Sequence, residues 1–94
     1  MARAIWNGAV IAESDAVETV EGNLYFPRAA VKADFLRDSS HTTVCGWKGT
    51  ARYHDIVVQS RTDAAAAWYY PDPGPAAANI RDHIAFWRGV TVET

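Results

Sequence analysis

Cys45 is the single cysteine of this sequence, and His41, Trp47 and Lys48 stand close to it in the chain. A thiol attacks as its thiolate, and a nearby base or cation favours that form. On a regular strand His41 would lie about 13 Å from Cys45, too far for contact. His54, on a facing strand, is the better candidate for a base. The alternative is a buried, inert thiol, the usual state of a free cysteine.

Lys48 belongs to a second set, Trp47-Lys48-Gly49-Thr50. It looks like the end of a phosphate loop, but the upstream glycine is missing and the segment lies between strands, so no Walker motif is present. Lys48 is either solvated on a tight turn or holds a ligand anion at a pocket rim. Glu21, Asn23 and Tyr25 form a third set, able to orient a ligand whose apolar body rests on aromatic rings; the plainer reading makes Asn23 a left-handed turn residue. In Trp68-Tyr69-Tyr70, alternation puts Trp68 and Tyr70 on one face and Tyr69 on the other. Cys45, Trp47, Lys48, Tyr53 and Trp68 are expected to converge around one concavity, with Glu21, Asn23, Tyr25 and Tyr70 completing the ligand-binding set. No catalytic residue is assigned. The three histidines show no metal-ligand spacing, and His54 and His83 are expected at the surface.

The elements that must position these residues are mostly short strands. Asn7-Gly8, between two apolar runs, predicts a hairpin on a type I′ turn. Residues 17–21 and 24–26 read as strands joined at Gly22-Asn23. Pro27 suits a helix start, and Val31 and Phe35 at i and i+4 predict a short amphipathic helix over 28–36, followed by a loop at 38–40. Residues 41–47 and 50–59 read as strands around a Lys48-Gly49 turn, with a polar turn at 60–63. Ala64–Ala67 could open a helix, whereas Trp68-Tyr69-Tyr70 favours a strand that Pro71-Asp72-Pro73-Gly74-Pro75 ends. A helical turn at 75–82 and a closing hairpin at 83–93 complete the reading. The rival for that last segment is a helix through Ile80, Ile84 and Trp87. The expected fold is mainly β, a small twisted antiparallel sheet system with one or two short helices.

The 94 residues fit one domain. Nine basic and eleven acidic residues give a formal charge of −2, so no basic excess exists to neutralise a nucleic-acid backbone. The scattered Lys and Arg argue against an anionic membrane surface. One cysteine allows no internal disulfide and no thiolate cluster for zinc. With no apolar run of signal-peptide or membrane-span length, a cytoplasmic location is expected. Four tryptophans suit a small core that needs much area from each ring.

Four ordered blocks carry a resemblance. They are Val20-Glu21-Gly22-Asn23-Leu24-Tyr25-Phe26-Pro27, Thr43-Val44-Cys45-Gly46-Trp47-Lys48-Gly49-Thr50-Ala51-Arg52-Tyr53, Ala67-Trp68-Tyr69-Tyr70-Pro71-Asp72-Pro73 and Ile84-Ala85-Phe86-Trp87. Together they resemble the bacterial family called domain of unknown function 427, over roughly residues 4–93. The resemblance implies a β-tent-like fold. Many β-tent proteins hold zinc on two Cys-x-x-Cys knuckles; with one cysteine this chain departs from that pattern, and neither metal nor cofactor is expected. Gly46 replaces the proline of the family's usual Cys-Pro-Trp-Lys-Gly. The family's nucleotidyltransferase-like label finds no paired carboxylates or glycine-serine loop here. The function expected is a non-catalytic module binding a small molecule or peptide in an aromatic-lined groove. The alternatives are a small enzyme using Cys45 or Glu21 and Lys48, and an interaction module, monomeric or homodimeric through an edge strand.

Overall fold

The computed structural model describes residues 1–94. It is mainly β, with nine antiparallel strands in two sheets and three short 3₁₀ segments. The first strands, β1 (Ala2–Trp6) and β2 (Ala9–Ser14), form the expected hairpin. Asn7 and Gly8 both take positive φ, 49° and 78°, as a type I′ turn requires. The second hairpin joins β3 (Glu18–Val20) to β4 (Asn23–Pro27). Its turn is Glu21-Gly22, at φ 53° and 80°, and not Gly22-Asn23. Thus Asn23 opens the strand, and Glu21 bears the left-handed geometry.

The predicted helix over 28–36 is absent. Two single 3₁₀ turns, Arg28–Ala30 and Ala33–Phe35, stand in its place. Between them Val31 bridges Ala12, and the Lys32 amide donates to the Ile11 carbonyl. Val31 is therefore extended along β2, while Phe35 ends the second 3₁₀ turn. The predicted loop at 38–40 lies inside β5 (Leu36–Cys45), where a bulge between Asp38 and Thr42 breaks its pairing with β6 (Gly49–Val58). The strand stops at Cys45, so Trp47 belongs to the turn. After the left-handed pair Gln59-Ser60, β7 (Arg61–Tyr69) carries Ala64–Ala67 as strand, not helix.

A 3₁₀ segment follows at Pro75–Ile80. The closing hairpin does not form. Strand β8 (His83–Phe86) lies between β4 and β7, whereas β9 (Thr91–Glu93) joins β1 in the other sheet. The sheet orders are β2-β1-β9 and β3-β4-β8-β7-β6-β5. Two apolar clusters hold them. Phe26, Ile56, Ala66, Ile84 and Phe86 pack with Ala4 and Ile11 of the smaller sheet. Tyr25, Ala51, Tyr53, Tyr70 and Ala85 form the second cluster with Ala77 and Ile80 of the 3₁₀ segment. Neighbours Tyr25 and Phe26 thus point into different cores, as strand alternation demands.

Along β6 odd and even positions serve different clusters. Ala51 and Tyr53 join one cluster, Ile56 and Val58 the other. The pairing of β6 with β7 slips between His54 and Ile56. Opposite, Ala65 is left-handed at φ 51°, and its amide donates to Asp55 Oδ1 at 2.7 Å. One carboxylate therefore satisfies the amide that the bulge frees from the ladder.

Candidate functional site

The chain has a concavity of about 290 Å³ beside the second cluster. Six residues of the sequence-derived set line it: Asn23, Tyr25, Lys48, Tyr53, Trp68 and Tyr70. The seventh wall, Trp87, was missed as a binding residue. Glu21, Cys45 and Trp47 are not lining residues. Glu21 pairs with Lys48 from outside, Cys45 packs half-buried on the second cluster, and Trp47 stands 44% exposed on the turn.

Each wall has a local cause. Tyr25 comes from the inward face of β4, Tyr53 from β6 and Trp68 from β7, and Tyr53 pairs in register with Trp68. Tyr70 lies one residue past β7, keeping the Trp68 side. Trp87 follows β8, where its indole Nε1 donates to the Ala65 carbonyl at 2.6 Å. The left-handed Ala65 thus also anchors a pocket wall. The rings brace one another. Trp68 meets Tyr25 edge-on at 6.1 Å and Trp87 at 5.9 Å, while Tyr53 lies 6.3 Å from Trp87. Such edge contacts add about 0.5–1.5 kcal/mol each beyond burial. Behind the wall, the Tyr53 hydroxyl lies 3.0 Å from Thr43 Oγ1 and His41 packs on its ring.

Lys48 is the charged group. It is 7% exposed, though on a turn. Its Nζ lies 5.2 Å from the Trp47 ring centre and 5.7 Å from that of Tyr70, within cation–π range, and it pairs with the Glu21 carboxylate. Burial alone would lower its pKa. The hydrogen bond to Glu21, with the neighbouring tyrosines, outweighs that and raises it, so the ammonium stays charged. Burial raises Tyr25 and Tyr70 above the ordinary phenol value against the pull of Lys48, and both remain protonated. Trp68 Nε1 donates to the Tyr25 hydroxyl oxygen at 3.1 Å.

The Pro-rich loop fastens the Lys48 turn. The Gly74 amide donates to the Lys48 carbonyl at 3.1 Å. A Cβ on Gly74 would stand 2.3 Å from the Trp47 carbonyl oxygen, so glycine permits this approach.

His54 contradicts its surface assignment and does not serve Cys45. It is 7% exposed, stacked on Tyr69 at 4.9 Å, with Arg28 over the Tyr69 ring. Its Nε2 lies 3.4 Å from an Arg28 nitrogen; its Nδ1 is 3.3 Å from Asp38 Oδ1 but lacks hydrogen-bond geometry. Burial first, then Arg28, hold the imidazole below its ordinary value of 6.5 against the pull of Asp38. The unfolded chain therefore binds the proton more tightly. This histidine's contribution to stability is full above about pH 6.5 and is lost as pH falls below it toward the lowered folded value. Thermal melts between pH 5.5 and 7.5 should show stability rising with pH, and His54→Gln should flatten that slope. An unchanged slope in the variant would assign the dependence to other groups.

These features define a class: a small two-sheet β protein with an aromatic concavity and one buried ammonium at its edge. The chain belongs to the family described as Domain of unknown function (DUF427), whose model matches residues 1–94. Comparison with curated proteins gives no match. No helix is long and apolar enough to cross a membrane.

Proposed function

We propose that this chain is a binding module that takes a small molecule or peptide group into the aromatic concavity without chemical change. The observation that carries this reading is the cavity itself: five aromatic side chains, an amide and an ammonium around about 290 Å³. That is near the lower end of ligand-pocket volumes, where compact ligands fit. Large rings give broad contact at little entropic cost, while Asn23 and Lys48 supply orientation.

Fractionated metabolite pools, read by tryptophan fluorescence and melting temperature, test the proposal. A true ligand at 100 times its Kd stabilises the native state by about 2.7 kcal/mol. That amounts to roughly 10–20 °C for a chain of this size. Silence from every fraction in both readouts would end the reading. Because Glu21 and Lys48 meet at the cavity edge, a small enzyme using them is the second reading. It requires Glu21→Gln to abolish turnover of the identified ligand while leaving binding nearly intact. His41 packs on Tyr53 and His54 on Tyr69, and neither hydrogen-bonds Cys45.

A further inference from the structure

The polar groups of the concavity are mostly donors. Lys48 has three N–H bonds, and Glu21 takes one. Tyr25 is fully buried yet lines the cavity, and its oxygen accepts from Trp68, which leaves its own proton free to donate to a ligand there. Tyr70 is 7% exposed and adds another phenol to the lining, while that of Tyr53 is engaged with Thr43. Asn23 brings one amide, with donor and acceptor together. The sole carboxylate at hand, Glu21, is spent on Lys48, and its side chain is 52% exposed. Such a half-exposed partner is weakly held, because water screens it and compensates its loss.

A permanent cation is a poor guest here. The π faces of Trp47 and Tyr70 already hold an ammonium, and a second positive charge would meet Lys48 directly. A neutral ring satisfies the walls and leaves the donors unmet. A planar acid satisfies both, with its ring against Trp68 and Trp87 and its oxygens toward Lys48 and Tyr25.

We infer that the site is selective for a small planar carboxylate, whose anionic group takes the place of the Glu21 carboxylate on Lys48 and accepts the Tyr25 hydroxyl proton. The inference rests on the binding reading above and narrows it to a ligand class. Glu21 then acts as a resident stand-in that neutralises Lys48 in the empty site and swings into solvent when the ligand enters. No bond is made or broken.

Three probes of one ring and three charges test it: benzoate, benzamide and phenyltrimethylammonium, titrated against tryptophan fluorescence with melting temperature as the second readout. Charge-assisted hydrogen bonds are about twice as strong as neutral ones, so benzoate should bind about tenfold more tightly than benzamide. Phenyltrimethylammonium should be the weakest. Lys48→Met should bring benzoate to the level of benzamide and leave benzamide within about twofold. Tyr25→Phe, which keeps the ring and its packing, should weaken benzoate severalfold and serves if Lys48→Met folds poorly. Glu21→Gln should tighten benzoate by removing the competing charge. Equal or tighter binding of benzamide or phenyltrimethylammonium overturns the carboxylate assignment and leaves the binding reading standing. Benzoate unaffected or weakened by Glu21→Gln overturns the exchange. No response to any probe overturns the carboxylate assignment alone if a metabolite fraction responds, and overturns the binding reading with it if every fraction is silent too.

Discussion

Phe26→Ala should lower the stability of the fold by about 3–5 kcal/mol, the usual cost of removing a fully buried aromatic ring. Phe26 is 0% exposed, meets Phe86 edge-on at 5.6 Å and pairs with Ile84 across β4 and β8. Those two strands are far apart in sequence, so the ring sits where a long-range pairing is fixed. At about 4–8 °C per kcal/mol, the melting temperature should fall by some 12 °C or more. Tyr25→Phe, on the adjacent residue and the opposite face, is the control. It keeps the volume and loses one hydroxyl, for about 1 kcal/mol. Thermal denaturation of the two variants separates the cores. A Phe26→Ala protein melting within a few degrees of the parent would mean that the sheets do not pack around this ring.

How much of this was legible depended on whether the signal was local. Asn7-Gly8 carries its turn in two residue types, because asparagine and glycine tolerate positive φ. The next turn misled by the same logic. Asn23 looks like the left-handed residue, yet pairing of Glu18 with Tyr25 and Val20 with Asn23 puts Glu21 there. Register, a long-range property, outweighed residue preference. The hairpin at 83–93 failed for a related reason. Alternation correctly marks two strands, but nothing local says that β9 leaves for β1 while β8 inserts between β4 and β7.

The site was legible where strand alternation held. Trp68 and Tyr70 lie toward the cavity and Tyr69 away from it against His54, as the parity argument required. His54 was expected at the surface for want of metal-ligand spacing, yet as an even position of β6 it shares the face of the buried Ile56 and Val58, and the bulge opposite Asp55 lies in β7. Asp55 could have hinted at it, since an acidic residue inside an apolar strand needs a partner. The partner, the Ala65 amide, is visible only in the folded sheet. Trp87 was missed because its place depends on the same bulge: its indole is tied to the Ala65 carbonyl. Cys45 was singled out as the lone thiol with Trp47 and Lys48 nearby in the chain, but it ends β5 and Trp47 sits on the turn, and nearness in sequence there does not gather side chains.

Gly74→Ala should damage the site more than its single methyl suggests. The new Cβ would meet the Trp47 carbonyl oxygen at 2.3 Å and its carbon at 3.4 Å, and both are backbone atoms that no side-chain rotation can move. The loop must withdraw from the Lys48 turn, breaking the hydrogen bond from the Gly74 amide to the Lys48 carbonyl. Overpacking of this kind costs about 1–3 kcal/mol, a fall of roughly 5–20 °C in melting temperature. Gly46→Ala, two residues before Lys48, is the matched control. Its Cβ would meet nothing within 4 Å, so the substitution should be neutral or slightly stabilising, because alanine restricts the unfolded chain. The pair separates stiffening of the turn from the clash with the loop. If both variants melt with the parent, loop and turn are not held in contact in solution, and the position of Lys48 beside the cavity loses its main mechanical support.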